Sequence, residues 1–548
     1  MSDVFTFLVG GKAGQGVRSA GTAAASLFMR MGRHAFQMDD YPSLIRGGHN
    51  FSVVSSSLEP VYSHYLEAQL VVALDQRSYD THAPHLAGSG LMIRDSDVDG
   101  EGIAIPIMEE AQRSGNPQLI SGVASIAALG AALGMPLSEM DEVIRKQYAR
   151  RVEDNLAYAR SMFQALPDRV HGRFDLEQGT PRPQSLLTGN QAIALGAIAA
   201  GLNCYFAYPM TPSTSILHFM ARYGPEAHLA VMQPENEIAV ANMAVGAAFA
   251  GARVMVASSG GGTALIEEAF SLAGMTEAPL LFVVSSRPGP SNGVPTYTEQ
   301  GDLYFALHQG HGEFPRLVAS PGSVAEAFRL TGELLALAWR FQTPAVLLTE
   351  KHLSESRVTT SLDGEVAWPQ EKAHRRGPYR RYRITDDGIS PLLFPPSREV
   401  IKWNSYEHDE RGITTEEAET ISLMHKKRQR KEESLSKYLR GMHTMNTFGR
   451  TGPVVFTYGS TTLSVREALC HAGLEAQVVQ PIYLRPLPTW ELEAYADQQP
   501  VVVEQSAAGS FARLLQERAD ISPGHVIRRY DGRPFDPRDL AHRLQEVL

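Results

Sequence analysis

The chain alternates short apolar runs with longer stretches that are rich in alanine and other small residues. Apolar runs of this kind are typical of buried strands, and small-residue stretches are typical of helices packed on a sheet. The predicted strands cover residues 5–9, 53–56, 68–74, 204–208, 253–257, 279–285, 344–349, 454–458, 475–479 and 501–504. The main predicted helices cover residues 19–31, 189–201, 237–251 and 415–439. This order predicts an α/β fold with largely parallel sheets.

Changes in composition divide the chain into four predicted segments. A connector with proline and glutamine at 179–185 separates an α/β segment at 1–178 from a second one at 187–352. Residues 353–450 are rich in proline and charge and predict an irregular and helical connector. A third α/β segment covers 451–548. The basic cluster at 425–433 predicts a solvated helix face, with a nucleic-acid or lipid patch as the alternative.

Length, charge and cysteine content narrow the range of functions. A chain of 548 residues is too long to fold around a single hydrophobic core. The net charge of −10 argues against a non-specific nucleic-acid binder. The two cysteines, Cys204 and Cys470, cannot supply the four thiolates that an iron–sulfur cluster usually needs. We therefore expect no metal site in this chain and any redox metal on a partner chain.

The hydrophobic pattern predicts a cytoplasmic protein that does not associate with a membrane. The N-terminal residues lack the basic and then apolar pattern of a signal peptide. The most apolar stretch, at 192–208, contains Asn203 and is shorter than the roughly 20 residues that a bilayer span needs. A buried helix that leads into a strand accounts better for it.

A glycine-rich turn at 10–16, Gly-Gly-Lys-Ala-Gly-Gln-Gly, lies between the first predicted strand and its helix. The glycines allow close approach of a backbone or an anion at the helix N-terminus. The dinucleotide fingerprint cannot be read across this turn, and the lysine spacing is not that of a P-loop. A phosphate site and a tight turn without a ligand both fit the pattern.

Three further clusters carry candidate chemistry, each with a structural alternative. Thr211, in the segment 208–214, is placed either to cap a helix or to face a ligand. Glu237 starts a small-residue helix, where it either interacts with the helix dipole or bonds a heteroaromatic nitrogen as a buried carboxylate. Arg287 follows an apolar strand, where it either grips a carboxylate with two parallel hydrogen bonds or forms a structural ion pair.

Taken together, these clusters resemble the alpha subunit of the 2-oxoacid:ferredoxin oxidoreductases. The resemblance is carried by Y-P-x-T-P-S at 208–213, E-x-E-I-A at 235–239, R-x-G-P-S-x-G-x-P-T at 287–296, T-E-Q-G-D-L at 298–303 and H-G-E-F-P-R at 311–316. The G-K-A-G-Q-G-V turn and Arg46-Gly47-Gly48 look like the family's gamma subunit, and Gly459-Ser460 with the strands after it look like its transketolase C-terminal domain. The resemblance covers essentially the whole chain.

The resemblance implies the fold of each segment. The segment 1–178 would be a gamma-type α/β domain, 187–352 a thiamine-diphosphate-binding pyrimidine-type domain, and 451–548 a transketolase C-terminal-like domain. Two departures bear on local geometry and substrate choice. Ser-Ser-Gly-Gly-Gly-Thr at 258–263 stands where the family often has Ser-Gly-Pro-Gly, and Met210 and Asn292 replace residues that are more usual in their motifs.

The resemblance also implies roles for individual residues. Glu237 would contact the aminopyrimidine nitrogen of thiamine diphosphate, with Pro209 and Thr211 beside the cofactor. Arg287 and Thr211 would lie by the carboxylate and oxo group of the substrate. A second carboxylate, as in 2-oxoglutarate, would need a further cationic contact, for which Arg46, His49 and a partner residue are the candidates.

A partner chain is implied as well. The sequence contains no Gly-Asp-Gly followed some thirty residues later by Asn-Asn, which is the family's diphosphate and magnesium motif. A beta subunit would therefore carry that motif and a 4Fe-4S cluster, with thiamine diphosphate and Mg²⁺ at the interface between chains. Coenzyme A and a 2-oxoacid would be substrates, ferredoxin the electron acceptor, and an (alpha-beta)2 heterotetramer the assembly.

The predicted activity is CoA-dependent oxidation of a 2-oxoacid, with 2-oxoglutarate as the first candidate and pyruvate or a branched-chain oxoacid as alternatives. Three other classes compete. A nucleotide-binding dehydrogenase predicts a dinucleotide fingerprint, and a stand-alone thiamine decarboxylase predicts its own diphosphate motif; neither pattern is present. A non-catalytic scaffold predicts loss of Glu237 or Arg287, yet both occur.

Overall fold

A computed structural model describes residues 4–42, 48–114, 117–182 and 184–548, with the side chains of 117–119 left out of the description. The first part of the chain contains strands β1 (Phe5–Lys12), β2 (His34–Asp40), β3 (His49–Ser57), β4 (Ala68–Ala73), β5 (Leu86–Asp95) and β6 (Ile103–Ile105). Its helices are α1 (Val17–Arg30), α2 (Gln76–His82), α3 (Ile107–Arg113), α4 (Pro117–Ala132), α5 (Leu137–Gln147) and α6 (Val152–Ala165).

The middle of the chain alternates strands and helices more regularly. Its strands are β7 (Ser185–Thr188), β8 (Cys204–Phe206), β9 (Ala230–Met232), β10 (Val254–Ser258), β11 (Leu280–Ser286), β12 (Leu317–Ala319), β13 (Ala345–Glu350) and β14 (Arg357–Thr360). Its helices are α7 (Gly189–Ala199), α8 (Thr214–Tyr223), α9 (Glu237–Phe249), α10 (Gly260–Thr276), α11 (Leu303–Leu307), α12 (Val324–Phe341) and α13 (Lys351–Glu355).

The last part begins with a long helix after an irregular stretch. It contains α14 (Ala418–Leu439), β15 (Met445–Phe448), β16 (Val454–Phe456), α15 (Thr461–Ala472), β17 (Gln477–Pro481), β18 (Tyr483–Arg485), α16 (Thr489–Leu492), β19 (Val501–Glu504), α17 (Ser510–Ala519), β20 (His525–Arg528) and α18 (Pro537–Gln545).

The first sheet has eight strands in the order β6-β5-β4-β1-β3-β2-β14-β7. Strands β1, β4, β5 and β6 are parallel, but β3 runs antiparallel to both β1 and β2, and β14 pairs antiparallel with β2 and β7. The expectation of a parallel sheet is therefore confirmed for one half of this sheet and wrong for the other. The exception has a simple cause, since only eight residues separate the end of β2 from the start of β3, fewer than the dozen or so that a crossover between parallel strands needs.

The second sheet carries the site and has seven strands in the order β18-β12-β13-β11-β10-β8-β9. All its pairs are parallel except β12 with β18. Alternate residues of its strands pack into two separate cores, because successive side chains of a strand point to opposite faces of the sheet. Val254 and Val256 of β10 pack with α9 and α10, whereas Met255 and Ala257 pack with α7, α8 and α12.

The third sheet has five strands in the order β15-β17-β16-β19-β20, with only β15 antiparallel. Its inner core is continuous with the α9–α10 side of the second sheet. Strand exchange also joins the predicted segments, since β14 and β7 complete the first sheet and β18 completes the second. The mixed α/β fold class is confirmed, and the predicted segment boundaries stay a prediction.

Helix α14 differs from its sequence prediction on one face. The basic cluster was expected to be solvated, but Lys427, Arg428 and Lys431 are buried. The Nζ atoms of Lys427 and Lys431 lie 2.6 and 2.5 Å from the carboxylate of the buried Glu277, and Arg428 pairs with Glu407. Burial by itself would raise the pKa of Glu277, but the two ammonium groups outweigh it and hold that pKa well below its usual range. The cluster therefore fastens α14 to the end of α10.

Candidate functional site

The carboxyl edge of the second sheet brings together the segments that follow β8, β10 and β11. From β8 the chain leads through α8 to β9 on one side, while β10 lies on the other side. A change of direction of this kind opens a crevice at the carboxyl ends of the strands, where α/β sheets bind ligands. Thr211, Ser259 and Arg287 follow the three strands and face this edge.

Thr211 and Arg287 are in direct contact. Nη1 of Arg287 donates a hydrogen bond of 2.7 Å to the main-chain carbonyl of Thr211. Helix α8 begins three residues later with Ser213 as its N-cap and no side-chain cap, so the alternative in which Thr211 caps this helix is wrong. Thr211 itself is half-buried.

Arg287 is buried without the structural ion pair that was its alternative role. No carboxylate among the described residues lies within 4.0 Å of its guanidinium, and its Nε has no hydrogen-bond partner there. Burial lowers the pKa of Arg287, and the more distant charge of Asp302 opposes that effect. A buried guanidinium with unused donors fits an anionic ligand.

Glu237 is the first residue of α9 and is only 3% exposed. The cap of this helix is Asn236, whose side-chain oxygen accepts a 2.9 Å bond from the amide of Ala239. The capping role is thus filled by the neighbouring residue. Oε1 of Glu237 is buried and has no hydrogen-bond partner within the described chain. A buried acceptor left unpaired costs about 1–3 kcal/mol, which a ligand donor would recover.

Three consecutive glycines start α10, and each lies against different groups of the chain. A Cβ atom on Gly262 would lie 2.0 Å from Oγ of Ser258 and 2.6 Å from Oε1 of Glu237. On Gly260 it would lie 2.3 Å from Oδ2 of Asp302. On Gly261 it would meet only the carbonyl of Ser291, at 3.3 Å. The triplet therefore admits the Glu237 carboxylate and the Asp302 carboxylate to the N-terminus of α10.

Several polar atoms at this edge are buried without a partner in the part of the chain that the structure describes. Besides Glu237 and Arg287 they belong to Ser258, Ser259, Ser286, Thr296 and Asp302. Burial raises the pKa of Asp302, against the opposing effects of Ser286 and Arg287. So many unpaired groups around one crevice indicate a ligand that supplies both donors and acceptors.

The remaining predicted site residues are Pro209 at the same edge, His49 in the first sheet and Arg46, which lies outside the described residues. Pro209 is exposed in the turn after β8, next to the exposed Tyr208. Glycines 260–262 and Asp302 were not predicted as site residues, although a triple glycine between a strand and a helix is a usable signal for a close approach.

His49 belongs to a chain of hydrogen-bonded side chains in the first sheet. The hydroxyl of Ser78 donates to Asp75 at 2.6 Å, so its oxygen accepts from Nδ1 of His49 at 3.3 Å. His49 then accepts at Nε2 from His82 at 2.8 Å, and His82 Nδ1 faces His85 at 3.4 Å. Burial lowers the pKa of His49. With both nitrogens engaged and no positive charge, His49 is poorly suited to hold a carboxylate.

The first glycine turn is closed by its own hydrogen bonds. The side-chain oxygen of Gln15 accepts from the amide of Lys12 at 2.6 Å, and the amide of Gln15 donates to the carbonyl of Lys12 at 3.1 Å. Gly10 leaves room for Ser78 and His49, since a Cβ there would lie within 3.1 Å of both. The structure therefore favours the tight turn over a phosphate site.

Two family models match the chain. The model described as pyruvate flavodoxin/ferredoxin oxidoreductase, thiamine diphosphate-binding, matches residues 195–427. The model described as pyruvate ferredoxin/flavodoxin oxidoreductase matches residues 6–165. No helix of the described chain combines the length and apolarity needed to cross a bilayer.

Curated relatives and a solved structure match over long stretches. The alpha subunit of 2-oxoacid:ferredoxin oxidoreductase 2 from Aeropyrum pernix is 28% identical over 99% of this chain and 97% of the relative. The 2-oxoglutarate synthase subunit KorA from Archaeoglobus fulgidus is 30% identical over 60% of this chain and 90% of the relative. The structure of 2-oxoglutarate:ferredoxin oxidoreductase from Magnetococcus marinus, with 2-oxoglutarate, coenzyme A and succinyl-CoA bound, has a TM-score of 0.90 and 27% identity and covers 100% of both chains.

Proposed function

The chain belongs to the 2-oxoacid:ferredoxin oxidoreductases as an alpha subunit, and on this premise we propose that it oxidises 2-oxoglutarate. The reaction converts 2-oxoglutarate, coenzyme A and oxidised ferredoxin to succinyl-CoA, carbon dioxide and reduced ferredoxin, with two electrons passed to ferredoxin. The observation that carries the chemistry is the buried, unpaired Oε1 of Glu237.

The choice of 2-oxoglutarate is supported by two comparisons. The solved structure that matches this chain from end to end has 2-oxoglutarate and succinyl-CoA bound, and the KorA relative is named for 2-oxoglutarate. Pyruvate is the second candidate, because both matching family models are described by that substrate.

The cofactor we propose is thiamine diphosphate, and the buried groups fit it. When bound, it supplies a positively charged ring that accepts the electron pair left by departing carbon dioxide. Glu237 would share a proton with the ring nitrogen of its aminopyrimidine, since Oε1 is the unpaired acceptor and Gly262 leaves the carboxylate accessible. In a buried setting such a hydrogen bond holds the proton on one defined ring nitrogen.

The other two residues act on the substrate in this proposal. The unused donors of Arg287 would bind the carboxylate next to the oxo group and fix its plane. The bond from Arg287 to the Thr211 carbonyl holds the guanidinium in place and puts Thr211 beside the bound acid. Arg287 and Thr211 lie at the same edge of the second sheet as Glu237, so the oxoacid and the cofactor would meet there.

We propose that the diphosphate, its Mg²⁺ and a 4Fe-4S cluster are held by a beta subunit, which would pass electrons to ferredoxin. The support is the sequence, which has only two cysteines and no diphosphate motif. An (alpha-beta)2 assembly would place the cofactor between the two kinds of chain. Coenzyme A would reach the site from the same interface.

The edge that carries the site also exposes apolar side chains suited to a protein partner. Met232, Ile238 and Leu265 are each 50% exposed, and Val294 is 45% exposed. They lie at the end of β9, in the first turn of α9, in the second turn of α10 and in the loop after β11. Exposed apolar residues gathered around unpaired buried polar groups are typical of an incomplete site that a partner covers.

The distal carboxylate of 2-oxoglutarate needs a second cation. Because His49 is uncharged and fully bonded, we propose that Arg46 or a residue of the beta subunit supplies it. Substitution of Arg46 by methionine should then raise the KM for 2-oxoglutarate more than that for pyruvate.

The test is reduction of methyl viologen by this chain co-purified with the product of its neighbouring gene. The assay contains coenzyme A and thiamine diphosphate and compares 2-oxoglutarate, pyruvate and 2-oxoisovalerate. We expect 2-oxoglutarate to give the highest kcat/KM, and Glu237→Gln to lower kcat at least a hundredfold with the complex intact. Gln keeps the shape but lowers the affinity for a shared proton.

Other outcomes would change the proposal in defined ways. A preference for pyruvate would identify the second candidate substrate. Full activity in Glu237→Gln would remove Glu237 from the chemistry. A folded, cofactor-loaded complex that is inactive with every oxoacid would indicate a scaffold subunit.

A further inference from the structure

Gln300 is a buried residue of the T-E-Q-G-D-L segment, thirteen positions after Arg287, and it is 2% exposed. Its hydrogen bonds all lead to the third sheet and its helices. Nε2 donates to the Tyr458 carbonyl at 2.9 Å, and Oε1 accepts from Oγ1 of Thr461 at 3.0 Å and from the amide of Gln505 at 2.9 Å. The amide of Gln300 also donates to the Gln505 carbonyl at 2.7 Å.

The loop between Arg287 and Gln300 is a bonded unit that rests on the same C-terminal part. Within the loop, the amide of Val294 donates to the Pro288 carbonyl at 3.0 Å. At its end, the amide of Thr298 donates to the Gly532 carbonyl at 3.1 Å. A Cβ on Gly532 would lie 3.6 Å from Cγ of Pro288, so the C-terminal part passes close to the residue next to Arg287. Movement of the loop's end would therefore reach Arg287.

The segment reaches the site a second time just beyond Gln300. Asp302 lies against Gly260 at the N-terminus of α10, beside the Glu237 pocket. Gln300 thus lies between Arg287 and Asp302, the two parts of this segment that contact the site. Neither of these parts makes as many hydrogen bonds to the third sheet and its helices as Gln300 does.

We infer that Gln300 is a positioning residue, which fastens the arginine loop to the transketolase-type C-terminal region and so sets where Arg287 meets the substrate carboxylate. This rests on the proposed role of Arg287. The C-terminal region then acts in substrate binding through the loop it holds, although none of the proposed site residues lies on it.

The first test is Gln300→Met, which keeps the side-chain length and removes the polar bonds. The matched control is Glu467→Met, because buried Glu467 of α15 also bonds across two parts of the chain. It accepts from the Tyr65 hydroxyl at 2.6 Å and from the amide of Tyr62 at 2.8 Å, away from the loop. Each variant is assayed as the co-purified complex, and kcat is measured together with a separate KM for each substrate, the oxoacid and coenzyme A.

We expect Gln300→Met to raise the KM for 2-oxoglutarate at least tenfold and to change the KM for coenzyme A less than twofold. Hydrogen exchange in the peptide 287–302 should also become faster. Glu467→Met should lower the melting temperature without either change. An unchanged 2-oxoglutarate KM in Gln300→Met, or an equal rise in Glu467→Met, would overturn the inference.

Gln300→Glu adds a signature that loss of stability would not produce. Its carboxylate can still accept from Thr461 and Gln505, but it faces the Tyr458 carbonyl without a proton. Protonation restores that donor. Glu350 of β13 and the side chain of Gln300 both lie beside Gly459. The phenol of Tyr458 donates to the Gln300 carbonyl at 3.3 Å, and Glu504 of β19, Glu350 and Asp302 surround that phenol. Burial and the charges of Glu504 and Asp302 favour the protonated form at mildly acid pH. Burial also raises the pKa of Glu350 to about 7, so its charge is added only as the pH rises.

The ratio of the Gln300→Glu KM to the wild-type KM should therefore be near one at pH 6 and rise at least tenfold by pH 8.5. A ratio that stays constant with pH would contradict the positioning role. Arg287→Met separates this failure from that of the proposed function. If Arg287→Met leaves the 2-oxoglutarate KM unchanged, the proposed role of Arg287 fails. If it raises that KM while the Gln300 variants do not, only the present inference fails.

Discussion

At the scale of single residues, the site depends on glycines as well as on its polar side chains, because a residue without a Cβ leaves space for its neighbours. Gly262 admits the Glu237 carboxylate to the start of α10, and a methyl group there would overlap Oγ of Ser258 at 2.0 Å and Oε1 of Glu237 at 2.6 Å. Both neighbours are held in a packed interior, so the carboxylate would have to move. The neighbouring Gly261 has far more room.

Gly262→Ala should therefore weaken thiamine diphosphate binding at least tenfold, and Gly261→Ala should change it less than threefold. Both substitutions favour the helix equally by about 1 kcal/mol, so the difference between them reports on the contact. Titration of the apo complex with thiamine diphosphate, followed by activity or fluorescence, measures both. Equal affinities in the two variants would refute the role given to Gly262.

At the scale of elements, buried ion pairs attach α14 to the end of α10. Glu277 ends α10, and Lys427 and Lys431 reach it from the helix face that the sequence pattern placed in water. Periodicity did not predict this, because a charged residue whose partner lies 150 positions away resembles any solvated one. Only the tertiary structure supplies the partner.

Removal of the shared partner leaves two buried ammonium groups without a counter-charge. Glu277→Gln should lower the free energy of unfolding by about 3–5 kcal/mol. The control Lys426→Met changes an exposed lysine of the same helix and should shift it by less than about 0.5 kcal/mol. Urea unfolding of the two variants measures the difference, and a Glu277→Gln variant as stable as Lys426→Met would show that the buried pair contributes nothing.

The histidine chain predicts how the first sheet responds to acid. Burial, with His49 and His85 adjacent, lowers the pKa of His82 to about 3, while an unfolded histidine titrates near 6.5. The unfolded state therefore binds a proton below about pH 6.5 that the folded state does not. The stabilisation is fully present above that pH and falls by about 1.4 kcal/mol per pH unit as the pH drops towards 3.

Wild-type protein should thus unfold at a markedly lower temperature at pH 5.5 than at pH 7.5, and His82→Gln should show a smaller drop. His218→Gln alters an exposed histidine of α8 and should keep the wild-type drop. Thermal unfolding at the two pH values checks this. An identical drop in His82→Gln and wild type would mean that His82 is not the group that titrates.

At the scale of the whole molecule, strands β7 and β14 join the first sheet and β18 joins the second, and the second and third sheets share a core. Exposed apolar side chains lie at the carboxyl edge of the second sheet, where the cofactor is proposed to bind. Leu265→Asp should weaken association with the partner subunit at least tenfold, because a carboxylate would be buried in an apolar interface. Val400 is 84% exposed in the connector, and Val400→Asp is the matched control.

Co-purification of the partner with each variant, followed by measurement of Kd, gives the result. Normal association of Leu265→Asp would place the partner on another surface. Weakened association of Val400→Asp by a similar factor would show that added charge, and not its location, disturbs the complex.

The amino-acid sequence determined the α/β class, the order of most strands and helices, and the motif positions that led to the family. These follow from local periodicity and from spacing along the chain, which persist whatever the long-range contacts. It also brought Arg287 forward as a candidate, since residues after buried strands collect at one edge of a parallel sheet. Glu237 was a candidate because it is a carboxylate at the start of a small-residue helix.

The tertiary structure decided what those residues touch. It assigned helix capping to Asn236 and left Oε1 of Glu237 unpaired. It joined Arg287 to Thr211, 76 positions away, and tied Gln300 to residues 158 to 205 positions further along the chain. Pairings over such separations depend on how sheets pack and exchange strands, and no local pattern of hydrophobic and polar positions encodes them.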